Sequence, residues 1–127
     1  PGDLIGIDYG AGTGTGTGTG HVVIVRSGKG VYTGNMTFAG ETQHAVEVID
    51  CTCDPHGVYG LNDYAAYPDS RMPAANVANH GGGYGHMMFY SSQATGAFSR
   101  YRWSVNTGRS GTYTTAQRPI TAVRVVA

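Results

Sequence analysis

Apolar residues along the chain fall in short runs of strand length, bounded by Gly, Pro, Asn and Asp, with no sustained period of three or four. Residues 4–9 (LIGIDY) and 21–26 (HVVIVR) read as two strands joined across residues 10–20. Residues 45–52 (AVEVIDCT) form a third, with a further short strand expected at 31–33 in the connection before it. Residues 86–91 and 97–105 make a hairpin across Ser92-Gln-Ala-Thr-Gly96, and 120–126 closes the chain after a turn region at 106–117. Residues 53–85 are irregular, because Pro55, Pro68 and Pro73 exclude a regular ladder, with one helical turn expected at 74–79. Met87, Phe89, Phe98, Tyr101 and Trp103 are the candidate packing residues. The expectation is a single mainly β domain over 1–127: a small antiparallel sheet or partly open barrel of five to six strands with little helix.

Composition supports this. Glycine occurs 21 times and tyrosine 9 times, Lys29 is the sole lysine, and Leu4 and Leu61 are the only leucines. Long helices lean on Leu, Lys, Glu and Ala, whereas Val, Ile, Thr and Tyr suit a pleated, half-buried surface. The 10–20 connector, GAGTGTGTGTG, is low in complexity; it could extend the hairpin as a ribbon or form a loose loop, and its threonines could carry O-linked sugar. Net charge is zero with 13% charged residues, so neither nucleic acid nor a membrane surface is implied as a partner. No apolar run approaches the ~20 residues that span a bilayer. Few charges and abundant Thr, Gly and Tyr favour an extracellular or cell-surface setting. A start at Pro1 suggests a processed or truncated chain.

Candidate chemistry centres on His21. If strands 21–26 and 45–52 pair antiparallel, the start of one lies beside the end of the other. Val46, Val48 and Asp50 share a face by the two-residue period, which brings Asp50 near His21. A carboxylate there can hold one ring nitrogen and leave the other for a nucleophile. The plainer alternative is a polar strand-start residue and a turn former. Cys51 should face away from Asp50, and Cys53 lies just past the strand, without the helix N-terminus that would activate a thiol. Cys51, Cys53 and His56 could instead hold zinc, with His44, His80 or His86 as fourth ligand; a Cys-x-Cys disulfide would be strained, and pairing between chains or free thiols remains open. The glycines of His80-Gly-Gly-Gly-Tyr-Gly-His86 permit a tight reversal before the next strand. Ser27-Gly-Lys-Gly30 lacks the pattern of a phosphate loop, and 10–20 lacks the helix of a dinucleotide site. Asn35-Met-Thr37 is an N-glycosylation triplet. No cofactor is implied.

Pro1-Gly-Asp-Leu-Ile followed by Gly20-His21-Val-Val-Ile-Val resembles the strand pair of papain-like cell-wall cysteine peptidases of the NlpC type. Residues 48–57 (VIDCTCDPHG), 85–90 (GHMMFY), 101–104 (YRWS) and 118–120 (RPI) look like the rest of such a sheet. The resemblance implies that His21 is the catalytic base and Asp50 its polar orienter. It also implies that the catalytic cysteine lies upstream, on a helix before the strand where this sequence begins. Alone, the chain is therefore expected to lack ordinary peptidase activity: a processed fragment or a non-catalytic relative. Its partners would be a missing N-terminal segment or other copies of itself, and peptidoglycan or polysaccharide. Two readings compete: a structural subunit assembling into a filament or sheath through its sheet, and a carbohydrate module stacking sugars on Tyr84, Tyr90, Tyr101 and Trp103.

Overall fold

The computed structural model describes residues 1–10 and 19–126. Most of the 10–20 connector, residues 11–18, lies outside the described residues. The fold is mainly β, as expected: a curled antiparallel half-barrel of seven strands. In chain order these are β1 (Leu4–Asp8), β2 (Gly20–Val31), β3 (Glu41–Thr52), β4 (Gly81–Ser92), β5 (Phe98–Arg102), β6 (Thr112–Thr114) and β7 (Ile120–Val123). Their order across the sheet is β6-β5-β4-β3-β2-β1-β7. The strand beyond the expected number is β6, three residues within the turn region, which adds to the edge of β5. Among the described residues no helix is long and apolar enough to cross a membrane.

The central strands run longer than their apolar stretches. β2 continues through Ser27-Gly-Lys-Gly30 to take in Val31, because paired backbone tolerates polar residues on an open face; register shifts at Val25/Ser27 and Gly28/Val31 absorb the irregularity. β3 and β4 pair over twelve residues each, Glu41 opposite Ser92 and Thr52 opposite Gly81. The expected helical turn at 74–79 is replaced by a tight turn closed by an isolated bridge between Ala74 and Val77, with Asn76 at φ 59°. Pro73 and the Asn residues favour that turn over helix.

Alternation sorts the side chains. Ile5, Ile7, Val23, Val48, Met87, Phe89 and Tyr101 form the main core on one face, with Trp103 and Phe98 packed against it. The 115–119 segment links the two edge strands: Thr115 N–H reaches the Ser99 carbonyl and Asp8 N–H the Pro119 carbonyl. Arg118 stacks over Tyr9 and Tyr113 and donates to the Tyr101 hydroxyl at 2.8 Å. On the other face Tyr32, Ala45, Met88 and Val105 make a smaller cluster.

Candidate functional site

Ile24 of β2 pairs with Ile49 of β3. The start of β2 therefore lies beside the end of β3, and His21 meets Asp50. His21 Nε2 lies 2.6 Å from Asp50 Oδ2. Gly20 is required just before it, since a Cβ there would stand 2.4 Å from the Ile7 carbonyl oxygen of β1.

Three further groups, none singled out as a set from sequence, complete the site from the irregular 53–80 segment. His56 is wholly buried, with Nε2 2.9 Å from the same Asp50 Oδ2 and Nδ1 2.8 Å from the Trp103 carbonyl oxygen. Arg71 places Nη1 2.9 Å from Asp50 Oδ1, as an ion pair out of hydrogen-bond alignment. Its Nε and Nη2 donate to the two oxygens of Asp69 at 2.9 and 2.8 Å. Asp69 in turn accepts the His56 backbone N–H at 2.7 Å. The Trp103 ring covers both imidazoles, its centroid 4.9 Å from that of His21 and 4.1 Å from that of His56.

Glycines in β4 make room for this cluster. A Cβ at Gly85 would lie 2.2 Å from Asp69 Oδ2 and 2.9 Å from His56 Cβ, and one at Gly83 would meet Arg71 Cγ at 2.9 Å. These residues are thus strand residues over which buried charges pass, rather than a chain reversal. β5 pairs with β4 only from Met88 onward. The 68–71 stretch covers the remaining edge, with Ser70 N–H donating to the Tyr84 carbonyl and Ser70 Oγ accepting from Tyr84 N–H.

Burial alone would raise the Asp50 pKa. The hydrogen bonds from His21 and His56 and the charges of His56 and Arg71 outweigh it and hold Asp50 well below the usual carboxylate value. Asp69 is lowered for the same kind of reason: burial opposes, while Arg71 and the His56 backbone N–H prevail. An ionised Asp50 takes the proton-bearing Nε2 of His21, which leaves Nδ1 as the acceptor of the neutral ring, an assignment made from the hydrogen-bond pattern. The His21 side chain is 13% exposed and borders a cavity of about 380 Å³ lined by Tyr9, Thr52, Asp54 and Trp103.

Neither cysteine lines that cavity. Cys51 and Cys53 are exposed free thiols. The zinc set of Cys51, Cys53 and His56 is not assembled, because both ring nitrogens of His56 turn to Trp103 and Asp50. Of the suggested fourth ligands, His44 reaches Ser91, His80 the Cys53 carbonyl and His86 the Pro68 carbonyl. His21, Asp50 and His56 do bring three donor atoms within 4.8 Å of one another. Their contacts at 2.6 and 2.9 Å are hydrogen-bond lengths, however, and the Arg71 guanidinium stands against the same carboxylate, which opposes a cation. Asn35 uses its side-chain carbonyl to accept from buried Arg102 at 2.8 Å. Of the four aromatic platforms, Tyr90 and Tyr101 are buried in the core, while Tyr84 is 40% exposed.

Comparison with protein-family models, with curated proteins and with solved structures returned no match.

Proposed function

We propose that the domain is the sheet half of an NlpC-like cysteine hydrolase acting outside the cell, with His21 as base and Asp50 as its orienter. The observation that supports this is the 2.6 Å contact between His21 Nε2 and Asp50 Oδ2, which leaves Nδ1 as the acceptor. In such a reaction Nδ1 takes the proton of a thiol as its sulfur attacks an amide carbonyl, then returns it to the leaving amine. The thiol comes from a segment other than those bearing Cys51 and Cys53. The substrate class implied is a cell-wall peptide amide. The test is hydrolysis of peptidoglycan stem peptides by the complete gene product. His21→Ala should lower turnover by about a thousandfold or more, and Asp50→Asn by a smaller factor. Cys51→Ser and Cys53→Ser should leave turnover unchanged. Full activity in His21→Ala overturns the proposal.

A second reading, a self-assembling subunit, has one specific observation behind it. Val123, Leu4, Ile24, Ile49 and Tyr84 stand directly opposite one another across five strands on the face away from His21. Apart from Leu4 they are 40–52% exposed, and Val22 beside them is 62% exposed. A contiguous apolar row of this kind is a common association surface. Sedimentation velocity tests it: a concentration-dependent oligomer dispersed by Ile24→Lys supports assembly, and a strict monomer at high concentration rejects it.

A further inference from the structure

On the face of β3 and β4 away from Asp50, a cavity of about 590 Å³ is lined by Lys29, Glu47, Tyr67, Pro68, Tyr84 and His86, with Ala65 and Ala66. His86 is 3% exposed. Its Nδ1 lies 2.9 Å from the Pro68 carbonyl oxygen, which can only accept, so the proton of the neutral ring sits on Nδ1 and Nε2 offers a lone pair. That buried Nε2 has no hydrogen-bond partner. Glu47 Oε1, charged and itself an acceptor, lies 3.9 Å away.

We propose that this cavity binds a neutral saccharide through a pair of adjacent hydroxyl groups. Two acceptors 3.9 Å apart on residues that line one cavity call for two donors. A divalent cation or an ammonium group would meet that need, yet Glu47 is already served by cations: Lys29 Nζ is 3.4 Å from Oε2 and Arg26 Nη1 is 3.7 Å from Oε1. Ser27 also donates to Oε2 at 3.0 Å. A further positive charge would meet Lys29 in the pocket lining and Arg26 on the same carboxylate. Hydroxyl groups resolve this, because each both donates and accepts. One donates to His86 Nε2 and its neighbour to Glu47 Oε1, while their oxygens accept from the Lys29 ammonium.

The surroundings agree with that occupant. Burial lowers the His86 pKa, which preserves the lone pair. Burial would raise the Glu47 pKa, but Ser27, Lys29 and Arg26 hold it below its usual value and keep the acceptor ionised. Tyr84 presents an exposed ring at the rim with Arg26 over it, 4.5 Å from the centroid, and Tyr67 stands edge-on to His86. Stacking on such rings is how apolar sugar faces are held while a few polar groups fix orientation. Glu47 and His86 alternate along their strands with Val48 and Gly85, so this site and the His21 site occupy opposite faces of the sheet and can be filled independently.

The test is titration of the isotope-labelled domain with chitotriose, cellotriose and mannotriose into the millimolar range, followed by backbone amide spectra. At least one trisaccharide should produce saturable shifts confined to the neighbourhood of Lys29, Glu47, Tyr67, Tyr84 and His86. His86→Phe and Glu47→Gln should each weaken that binding about tenfold or more, since the first removes an acceptor and the second replaces a charged carboxylate acceptor by a weaker neutral amide. Should His86→Phe disturb the fold, Glu47→Gln at the partly exposed rim decides alone. The absence of saturable shifts with all three sugars, shifts located elsewhere, or binding unaffected by Glu47→Gln overturns the proposal and leaves a pocket filled by water.

Discussion

Among the described residues two arginines are buried, and they are held in opposite ways. Arg71 meets both oxygens of Asp69 and stands beside Asp50, so its charge is matched by two carboxylates. Arg102 is wholly buried and faces neutral oxygens: Gln43 Oε1 at 2.9 Å, Asn35 Oδ1 at 2.8 Å, and the Val105 and Thr107 carbonyls at 3.0 and 2.9 Å. Burial opposes charge at both. Asp69 and Asp50 nonetheless raise the Arg71 pKa, whereas desolvation dominates at Arg102 and lowers it. The Arg102 cluster is neutral apart from the arginine itself: its donors tie Asn35, Val105 and Thr107 to the sheet. The Arg71 cluster is ionic and ends on His21, which reaches a cavity. One arrangement shapes loops; the other presents a polarised imidazole.

The comparison breaks first on removal of the cations. Arg71→Met takes the guanidinium from two buried carboxylates and should cost about 3–5 kcal/mol in denaturant unfolding. Arg102→Met strands only neutral acceptors, beside a cavity of about 330 Å³ that can admit water, and should cost about 2–3 kcal/mol. If Arg102→Met proves the more damaging, charge matching is not what distinguishes the two clusters.

Acid should sharpen the same contrast. Asp50 and Asp69 have folded pKa values below their unfolded ones, so each contributes stability present above the unfolded value of about 3.9 and lost as pH falls toward the folded one. Denaturant midpoints should therefore change little through these carboxyls between pH 7 and about pH 5, where their stabilisation is fully present, then fall progressively below about pH 4. The fall should be shallower in Asp50→Asn, which has one fewer carboxylate to protonate. Arg102→Met should keep the wild-type slope, because the hydrogen-bond partners of Arg102 do not titrate in that range.

Strand periodicity made one half of the site legible. His21 and Asp50 lie 29 residues apart in sequence, yet the two-residue period and antiparallel pairing are enough to put them together. His56, Asp69 and Arg71 come from a segment held by tertiary hydrogen bonds, where no period constrains direction. Their trace in the sequence was Gly83 and Gly85, two glycines on one face of a strand, which marks something large passing close by. Gly85→Ala tests that trace. The new Cβ would press on Asp69 and His56, both buried, and overpacking of this kind should cost about 1–3 kcal/mol. Gly82→Ala, where a Cβ meets nothing within 4 Å, should cost much less.

The smallest expected effect isolates burial as the variable. Arg124 grips Asp3 through two contacts, Nε to Oδ1 at 3.0 Å and Nη2 to Oδ2 at 2.9 Å, with nearly the geometry that Arg71 shows toward Asp69. The Arg124 side chain, however, is 77% exposed. Water already solvates both charges there, salt screens them, and ordering two side chains offsets what attraction remains. Arg124→Ala should therefore leave the denaturant midpoint within experimental error at physiological ionic strength, against the large loss in Arg71→Met. A comparable loss from the exposed pair would mean that fork geometry itself, rather than the cost of stranding carboxylates away from water, makes the Arg71 cluster strong.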